Sequence, residues 1–398
     1  MKYVFGVTSS VSIYKVLNVV RGLTKRKNEV KVVMTENATK LVSPILFQAL
    51  SYNKVYVDNF NYDDPLIHIS LAKWGDVFVV IPATANIIGK IANGICDDLV
   101  STIALAFPIS KRRILIPAMN KEMWSNPITQ ENIHKLQNHG WEIIEPEEGL
   151  FASPLEGVGK GRLPNEKTII YNLLRNPNGS LKGKKVLVTA GATKEYIDDV
   201  RFISNDSSGL MGLSLALVSY LEGAEVCLVY GNMKFKPFPF IRSIGVSSTD
   251  EMLSVVEKEF ENTDILFMAS AVADFKPSTK LSGKLAKDEI TSIELVKTPD
   301  ILKTVSRNKD SRVIVGFGLG SGDLEEYALK KMKDKNVDLI VANKIEISDG
   351  KVSFNPMGNK NNKITIFTRN GDKIYYEGSK LKVARFILDQ VLKISKPL

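Results

Sequence analysis

Twice along this chain, a short apolar run passes through a polar loop into a helical pattern and then into another apolar run. The first occurrence is "KYVFGV", the loop "TSS", a helix with Ile13, Val16, Leu17 and Val20 on one face, and "EVKVVMT". The second is "KKVLVTAG", the helix "GLMGLSLALVSYLEG" and "AEVCLVYG". Continuous apolar strands that alternate with amphipathic helices are typical of buried, parallel sheets. The sequence therefore predicts an α/β protein in which this pattern starts twice.

The length of the chain and a break in its middle predict two domains. With 398 residues, 44% of them hydrophobic and 24% charged, the chain is longer than one hydrophobic core usually organises. A closing helix is expected in "NEKTIIYNLLR", and "NPNGSLKGK" after it has the Pro, Gly and Asn of a linker. We predict two Rossmann-like three-layer domains with largely parallel sheets, at residues 1–175 and 185–398, joined by a linker at 176–184.

Charge and cysteine content restrict the partners and the compartment. The net charge is +9, but Lys and Arg are scattered in short groups and no aromatic and basic platform is visible. Phosphorylated small molecules are therefore favoured over nucleic acid, which stays a distant alternative. Two cysteines, Cys96 and Cys227, and three histidines predict neither a disulfide framework nor a metal site. No apolar run approaches a membrane span, so we expect a cytoplasmic protein without a membrane partner.

The loop after the first strand, "TSSVSIYK", lacks the G-x-G-x-x-G pattern of common dinucleotide sites. Hydroxyl groups of Thr8, Ser9 and Ser10 beside the free N–H groups of a helix start suit a single phosphate. When the loop is taken alone, plain helix capping is the favoured explanation of these residues.

Three further stretches of the first half carry a family resemblance. They are "HISLAKW", which begins with His68, "PATAN" and "PAMNKEMW". In this order they resemble, over residues 1 to about 170, the flavoprotein family of cysteine decarboxylases. The resemblance implies a flavodoxin-like fold that binds FMN, with His68 as a base and Asn120 and Met123 as substrate contacts. The FMN contacts that it implies are Ser9, Ser10, Thr35, Thr84 and Asn86.

The glycine-rich stretch "GLFASPLEGVGKGRL" resembles the substrate-covering flap of the same family. It is not a Walker-type phosphate loop, because no glycine stands five residues before Gly159 and Lys160 and no Ser or Thr follows them. Its glycines are interpreted as hinges. The family has a proton-donating cysteine where this chain has Ser153, and a serine hydroxyl is a far weaker acid than a thiol. We hypothesise that Ser153 relays a proton or that another group of the flap donates it.

The second half resembles phosphopantothenate–cysteine ligases over nearly all of residues 182–395. The motifs are "ATKEYIDDVRFISNDSSGLMG", "ASAVADFKP", "KTPDIL" and "GKLAK", with Ala192 and Ala286 departing from the family pattern. The resemblance implies that Asn205 stabilises the oxyanion of an acyl-cytidylate step, that Arg201 lies with it at the carboxylate of the substrate, and that Lys284 reaches the phosphates from a flap. It also implies Mg²⁺ with the triphosphate. The positions that it assigns to CTP are Asp274, Lys284, Thr298, Pro299, Asp300, Ile301, Phe317, Lys331 and Lys335.

Two features of this second half have a reading that does not depend on the resemblance. Lys331 and Lys335 are four residues apart, so both lie on one helix face and can present positive charge to a triphosphate. A solvated lysine face is the alternative. "VGFGLG" is either a glycine-rich phosphate loop or the close-packed end of a strand.

As a whole the chain resembles the bifunctional enzymes of coenzyme A biosynthesis. The ligase half is expected to join 4'-phosphopantothenate to cysteine with CTP, and the decarboxylase half to convert the product to 4'-phosphopantetheine with FMN. A homo-oligomer is implied, because flavin sites of the family lie at subunit contacts. Two alternatives stay open at this point, both because of Ser153. In the first alternative, the flavin-binding half is non-catalytic, as in related halotolerance proteins. In the second, it is an oxidative decarboxylase that stops at the enethiol.

Overall fold

The computed structural model describes residues 1–59, 64–152, 154–284, 292–320, 324–348, 351–357 and 359–394. It divides into two compact units, Met1–Leu174 and Arg175–Leu398. Of the predicted site residues, Ser153 lies outside the described residues. None of the helices described below is both long and apolar enough to span a lipid bilayer.

The first unit contains a parallel sheet and a separate hairpin. Its strands are β1 (Lys2–Val7), β2 (Glu29–Met34), β3 (Val55–Tyr56), β4 (Val77–Ala83), β5 (Arg112–Pro117), β6 (Trp141–Ile143), β7 (Glu147–Leu150) and β8 (Val158–Arg162). Its helices are α1 (Ile13–Thr24), α2 (Glu36–Thr39), α3 (Pro44–Ser51), α4 (Ile67–Trp74), α5 (Ala85–Ala92), α6 (Leu99–Ala106), α7 (Lys121–Ser125), α8 (Pro127–Asn138) and α9 (Glu166–Leu174).

The sheet of the first unit has the order β3-β2-β1-β4-β5-β6, with all neighbours parallel. If the two-residue edge strand β3 is set aside, this is the strand order of flavodoxin-like folds. Alternation along β1 shows the two faces: Tyr3 and Phe5 pack in the core under α1 and α9, while Val4 packs in the core under α5 and α6. The predicted three-layer α/β fold is confirmed for this unit.

The second unit repeats the architecture with a wider sheet. Its strands are β9 (Lys185–Ala190), β10 (Lys194–Tyr196), β11 (Phe202–Ser204), β12 (Glu225–Tyr230), β13 (Arg242–Gly245), β14 (Ile265–Met268), β15 (Phe275–Pro277), β16 (Leu295–Lys297), β17 (Val313–Gly320), β18 (Leu339–Lys344), β19 (Glu346–Ser348), β20 (Lys351–Phe354), β21 (Asn361–Thr368) and β22 (Lys373–Ser379). Its helices are α10 (Leu210–Leu221), α11 (Thr249–Phe260), α12 (Ile301–Val305), α13 (Leu324–Asp334) and α14 (Lys380–Ile394).

The main sheet of this unit has the order β13-β12-β9-β14-β17-β18-β21-β22. The strands from β13 to β18 are parallel, and β21 and β22 extend the sheet in antiparallel fashion. Helices α10 and α14 pack on one face, and α11, α12 and α13 pack on the other. This agrees with the prediction of a largely parallel, three-layer sheet.

Residues 176–184, which the sequence suggests as a linker, pack on the second unit. The backbone N–H of Asn176 donates to Leu221 O at 2.8 Å, and that of Leu181 donates to Glu222 O at 3.0 Å. The side chain of Leu181 belongs to the core of this unit and is 1% exposed. These residues are therefore the first part of the second unit, which begins at Arg175.

Candidate active sites

The first candidate site lies where β1 and β4 end, side by side. In a doubly wound sheet the strand order reverses between two such neighbours, and ligands bind at the resulting crevice. The Thr8 hydroxyl links the two loops there, because its Oγ1 donates to Pro82 O at 2.6 Å and accepts from Thr84 N at 3.4 Å. The buried Thr8 thus holds the "TSS" and "PATAN" loops in a fixed relation.

Hydroxyl groups on this edge are used as helix caps but keep a proton to donate. Thr35 Oγ1 accepts from Ala38 N at the start of α2, and Thr84 Oγ1 accepts from Ile87 N at the start of α5. Ser10 Oγ lies 3.0 Å from Ser12 Oγ, and the side chains of Ser9 and Asn86 are exposed. A hydroxyl can accept one bond and donate another, so these residues fit a phosphate and a polar ring system such as those of FMN. All five predicted FMN residues follow the carboxyl ends of β1, β2 and β4.

The predicted catalytic and substrate residues of this half reach the same edge through their elements. His68 is the second residue of α4, and α4 leads directly into the amino end of β4, so the start of α4 lies toward the carboxyl edge. Asn120 follows β5, and its Oδ1 caps α7 by accepting from Glu122 N at 2.8 Å. The side chain of Met123 is 48% exposed.

The glycine-rich stretch forms the hairpin of β7 and β8, and its glycines lie in close contact with the loop after β5. Met119 N donates to Gly161 O at 3.0 Å. A Cβ atom at Gly161 would stand 2.3 Å from Met119 O, and one at Gly159 would stand 2.8 Å from Lys121 Cδ. The tight contact between hairpin and loop therefore requires glycine at these two positions. The interpretation of the glycines as hinges did not predict this contact.

The second candidate site is a cavity of about 650 Å³ in the second unit. It opens where β14 and β17 end and where α10 begins, again at the carboxyl edge of a parallel sheet. The predicted residues that line it are Asn205, Asp274, Thr298, Pro299, Asp300, Ile301, Phe317, Lys331 and Lys335. Arg201 and Lys284 do not line it.

One end of the cavity carries paired charges. Lys335 Nζ lies 2.9 Å from Asp300 Oδ2, and Lys331 Nζ donates to Phe317 O at 2.7 Å. Burial, followed by the charge of Lys335, lowers the pKa of Lys331 to about 8, against the opposing influence of Asp300 and Asp274. Burial alone would raise the pKa of Asp300, but hydrogen bonds from Lys335 and from Lys303 N, with nearby positive charge, hold it below its usual range.

The "VGFGLG" stretch is strand β17, so the alternative of a close-packed strand end is the one that the structure adopts. A Cβ atom at Gly316 would stand 2.8 Å from Ile340 Cδ1, and one at Gly318 would stand 2.6 Å from Tyr327 Cε1. These glycines let the neighbouring strand and α13 approach the sheet, which places Phe317 in the wall of the cavity.

Asn205 joins two loops of the cavity. Its Nδ2 donates to Ala271 O at 3.3 Å and to Val272 O at 3.0 Å. Thr298 closes the same region, because its Oγ1 donates to Ala273 O at 2.6 Å. The amide NH₂ group that an oxyanion would need is thus directed at two backbone carbonyls, and it must turn away from them to act on a substrate.

Arg201 and Lys284 lie in a neighbouring part of the unit, formed by residues 198–201 and 283–284 and called the arm below. Arg201 donates from Nε and Nη2 to Oδ2 of the fully buried Asp198, at 2.9 and 2.6 Å. The side chain of Lys284 is exposed, and the preceding Gly283 N donates to Asp199 Oδ2 at 2.8 Å. The two predicted residues therefore share a turn near residues 198–201, outside the cavity wall.

Several residues of the cavity were missed by sequence reasoning. They are Asn343 in β18, Asn362 in β21 and Lys380 at the start of α14. In the sequence, Lys380 is one lysine of "SKLKVARF", and nothing distinguishes it from the exposed Lys382. Within the described ranges, no group of three His, Cys, Asp or Glu side chains is placed to bind a metal ion.

Comparisons with known proteins match both halves. The family model described as "Flavoprotein" matches residues 1–176, and the one described as "DNA/pantothenate metabolism flavoprotein C-terminal domain" matches residues 181–394. Two relatives carry the name "Coenzyme A biosynthesis bifunctional protein CoaBC". The one from Bacillus subtilis is 39% identical over 98% of this chain and 96% of its own length. The one from Escherichia coli K12 is 36% identical, with the same two shares of 98% and 96%.

Solved structures resemble one half each. The C-terminal domain of a coenzyme A biosynthesis bifunctional protein CoaBC is 36% identical, covers 54% of this chain and 97% of that chain, and has a TM-score of 0.46. The FMN-dependent cysteine decarboxylase SpaF is 32% identical, covers 40% of this chain and 89% of that chain, and has a TM-score of 0.36. The family assignment depends on the sequence matches, which run through both halves. The chain belongs to the family of coenzyme A biosynthesis bifunctional proteins.

Proposed function

We propose that the second unit joins 4'-phosphopantothenate to cysteine through an acyl-cytidylate formed with CTP, and that the first unit decarboxylates the product to 4'-phosphopantetheine with FMN. As a member of its family, the chain is an enzyme of coenzyme A biosynthesis with a decarboxylase and a ligase half. The observation that carries the detailed proposal is the cavity whose wall collects nine of the predicted ligase residues, from Asn205 to Lys335. A non-catalytic first half is not favoured, because the bifunctional relatives match along 98% of this chain.

In the ligase half, the paired-charge end of the cavity is assigned to the nucleotide. Phe317 offers an aromatic surface, and Lys331, Lys335 and Asp300 offer directed donors and acceptors beside it. The backbone turn of Thr298, Pro299 and Ile301 and the carboxylate of Asp274 complete this wall. The arrangement supports recognition of a polar base by hydrogen bonds, since buried polar groups discriminate strongly between ligands that do and do not satisfy them.

Acyl transfer is assigned to Asn205, with Arg201 and Lys284 approaching from the arm. A side-chain amide directed at developing negative charge stabilises a tetrahedral intermediate. Asn205 reaches that state by releasing the carbonyl groups of Ala271 and Val272, and Lys284 contributes positive charge to the phosphates. Mg²⁺ is proposed to accompany the triphosphate. Phosphate oxygens and water would supply most of its ligands, as is usual for this ion.

In the decarboxylase half, Ser9, Ser10, Thr35, Thr84 and Asn86 are proposed to hold FMN at the carboxyl edge of the sheet. When bound, FMN supplies reversible oxidation of the thiol-bearing carbon, which places an electron sink beta to the carboxylate that leaves. His68 is assigned as the base that takes up a proton there, and Asn120 and Met123 as groups that hold the substrate. The proton is proposed to return through Ser153, as a relay from water, or from another group of the flap.

The proposal extends to assembly and compartment. Large apolar side chains are exposed on one part of the first unit around α1 and α3, where Val11, Tyr14, Leu41, Ile45 and Leu46 are between 49% and 68% exposed. Contiguous exposed apolar surface supports contact between copies of a chain, so a homo-oligomer is proposed. Its partners are small molecules in the cytoplasm, without nucleic acid or a membrane.

One incubation tests the function. The purified full chain is mixed with 4'-phosphopantothenate, cysteine, CTP and Mg²⁺, and the products are resolved by mass spectrometry. Phosphopantetheine is the expected product, and omission of CTP is expected to abolish it. Accumulation of phosphopantothenoylcysteine would contradict the decarboxylase assignment, and a product two hydrogens lighter than phosphopantetheine would indicate an oxidative enzyme. A parallel reaction with ATP tests the nucleotide preference.

A further inference from the structure

A run of buried hydrogen bonds leads away from the cavity wall of the second unit. Ala273 N donates to Thr193 Oγ1 at 3.0 Å, and Thr193 Oγ1 lies 3.1 Å from Thr249 Oγ1. Thr249 Oγ1 in turn donates to Glu195 Oε1 at 2.7 Å. The side chains of Thr193, Thr249 and Glu195 are at most 3% exposed, and they do not line the cavity. These three side chains are called the Thr193 network below.

The direction of each hydrogen bond in the Thr193 network follows from the number of protons available. A hydroxyl group has one proton to donate. Thr249 gives its proton to Glu195, so Thr193 donates to Thr249 and accepts from Ala273 N. The run ends at the Glu195 carboxylate, which also accepts from Thr249 N, the first N–H of α11, at 2.9 Å. A carboxylate is stabilised at the amino end of a helix, which holds this end of the run in place.

The other end of the run reaches two predicted ligase residues through their neighbours in the chain. Ala273, whose N–H is bonded to Thr193, directly precedes Asp274. Ser204, which directly precedes Asn205, donates from Oγ to the backbone carbonyl of Thr193 at 2.7 Å. Asn205 and Asp274 both line the cavity. Thr193 is therefore bonded to both loops, to one through its side chain and to the other through its main chain.

The loop of residues 271–273 is held from two sides, and it also receives the Asn205 side chain. Thr298 Oγ1 donates to Ala273 O at 2.6 Å, so both main-chain polar groups of Ala273 are bonded to threonine hydroxyls. The Asn205 amide lies on two carbonyls of this loop. To meet an oxyanion, the amide must leave these carbonyls while the loop itself stays in place. A loop that the Thr193 network holds from its far side allows this movement.

The composition of the Thr193 network indicates a task beyond packing. Buried hydroxyls and carboxylates cost free energy unless they are hydrogen-bonded, and apolar side chains of similar volume would fill the same space. A buried network that is fully hydrogen-bonded makes the structure around it rigid. Misplacement of a catalytic group by about 1 Å can lower a rate about 10²-fold, so a fixed geometry matters most beside the reacting atoms.

We propose that Thr193, Thr249 and Glu195 are positioning residues of the ligase. They hold the 271–273 loop so that the Asn205 amide turns to the oxyanion while Asp274 stays at the nucleotide. The proposal rests on the proposed function for the reaction that is positioned, the transfer of the acyl group to cysteine. In that step the amino group of cysteine attacks the acyl carbon, negative charge forms on the carbonyl oxygen, and CMP leaves while the nitrogen loses its proton.

The first test measures the release of CMP at saturating CTP, phosphopantothenate and cysteine. Thr193→Val keeps the shape of the side chain but lacks the hydroxyl, and its rate is expected to be about tenfold or more lower than that of the unmodified full chain. Thr193→Ser keeps the hydroxyl and is expected to restore most of the rate. The control is Thr263→Val, which should match the unmodified chain. Thr263 is also buried and donates to Glu259 O at 2.8 Å, but it lies just before β14, at the opposite edge of the sheet.

The same substitution in an Asn205→Ala background separates positioning from a general loss of folded enzyme. If Thr193 acts through Asn205, Thr193→Val changes the residual rate of Asn205→Ala by less than about twofold, because the effects of residues that act together are not additive. An equal fold-change in both backgrounds, or an unchanged rate in Thr193→Val alone, would overturn the proposal. Thr249→Val breaks the same run one bond further on and replaces Thr193→Val if that variant does not fold.

Hydrogen exchange of the full chain, followed by mass spectrometry, reports on the loop independently of the reaction. The segment of residues 271–275 is expected to exchange about tenfold faster in Thr193→Val than in the unmodified chain or in Thr263→Val. If this occurs but the unmodified chain does not ligate phosphopantothenate to cysteine, the hold on the loop stands and the proposed function is wrong. If the unmodified chain ligates and Thr193→Val matches it in rate and in exchange, the function stands and the positioning role is wrong.

Discussion

Lys335, the residue that follows α13, and Asp300, the N-cap of α12, form an ion pair of 2.9 Å in the wall of the cavity of the second unit. Asp300 also caps α12, because its Oδ1 accepts from Lys303 N at 3.0 Å. One carboxylate therefore holds a lysine in the cavity wall and begins a helix. The two tasks can be separated, since asparagine caps a helix as well as aspartate does but carries no charge.

Asp300→Asn is expected to raise KM for CTP about tenfold, because Lys335 loses the charged partner that holds it in place. The thermal unfolding temperature should change little, since the cap is kept. The matched control is Asp310→Asn, which removes a 79% exposed carboxylate paired with Arg312. Equal KM values for Asp300→Asn and for the control would show that the pair does not position a nucleotide-binding group.

The ligase is expected to lose affinity for CTP as the pH rises from neutral through about 8, where Lys331 gives up its proton. Burial and Lys335 lower this pKa, and Asp300 and Asp274 oppose them, so the charge of Lys331 depends on all three neighbours. Arginine does not titrate in this range. Replacement of Lys331 by arginine should therefore extend the plateau of kcat/KM to higher pH.

Lys380 titrates near the same pH, so this comparison is made in a Lys380→Arg background. The pH profiles of Lys380→Arg alone and of Lys331→Arg with Lys380→Arg are measured at subsaturating CTP. We expect kcat/KM to fall at a higher pH in the double variant than in the single variant. Superimposable profiles would contradict a role for the Lys331 charge.

Lys380→Met is expected to stabilise the second unit at neutral pH when no ligand is present. The folded pKa of about 8 lies below the ordinary value of 10.5, so the unfolded chain binds more protons between these values and the stability of the unmodified chain rises across this window. The variant lacks the cost of burying the ammonium, which is on the order of 3 kcal/mol. Its advantage should shrink toward pH 10.5.

Differential scanning calorimetry of both full chains, at neutral pH and near pH 10.5, measures this difference. Lys382→Met, at an exposed position, is the control and should show no advantage at either pH. A Lys380→Met chain less stable than the unmodified one at neutral pH would mean that the ammonium is satisfied within the protein.

Gly161→Ala is expected to impair the decarboxylase and to leave the ligase unchanged. The new methyl group would stand 2.3 Å from Met119 O, so the hairpin of β7 and β8 must move away from the loop that carries Asn120. Overpacking of this kind costs about 1–3 kcal/mol. Gly157→Ala is the control in the same hairpin: its φ of +66° disfavours a side chain as the φ of +154° at Gly161 does, but nothing lies within 4 Å of its added Cβ, so the comparison isolates the clash with Met119.

Separate assays of the two reactions are required for this pair of variants. The conversion of phosphopantothenoylcysteine should be about tenfold or more slower in Gly161→Ala than in Gly157→Ala, by the effect of misplaced substrate-binding groups. Formation of phosphopantothenoylcysteine should be the same in both. Equal decarboxylation rates would show that the contact with Met119 is not needed for activity.

Ser153→Cys is expected to speed the last, reductive part of decarboxylation. A thiol has an ordinary pKa of about 8.5, whereas a serine hydroxyl hardly ionises, so cysteine is the better proton donor. The measurement is the ratio of phosphopantetheine to the product that is two hydrogens lighter. Ser153→Ala tests the relay directly, because an unchanged ratio in that variant would assign protonation to water or to another group.

The sequence alone predicted the parts of this protein that depend on local pattern. Apolar runs and amphipathic periodicity located strands such as β1, β4 and β9, since burial on both faces requires continuous apolar residues. Thr84, directly after β4, and Asn205, after β11, were predicted as site residues from the motifs that carry the family resemblance. The spacing of Lys331 and Lys335 predicted both on one face of a helix; α13 ends one residue before Lys335, and the structure brings both lysines to the cavity wall.

Only the tertiary structure decided which charges are paired and which are buried alone. Asp300 meets Lys335 because α12 and α13 pack on the same face of the sheet, and Lys380 is buried because β22 leads α14 back against α10. In sequence, Lys380 and Lys382 look alike, yet one is 4% exposed and the other lies on the surface. Desolvation and Coulomb interactions depend on neighbours from distant segments, and a one-dimensional pattern does not contain those neighbours.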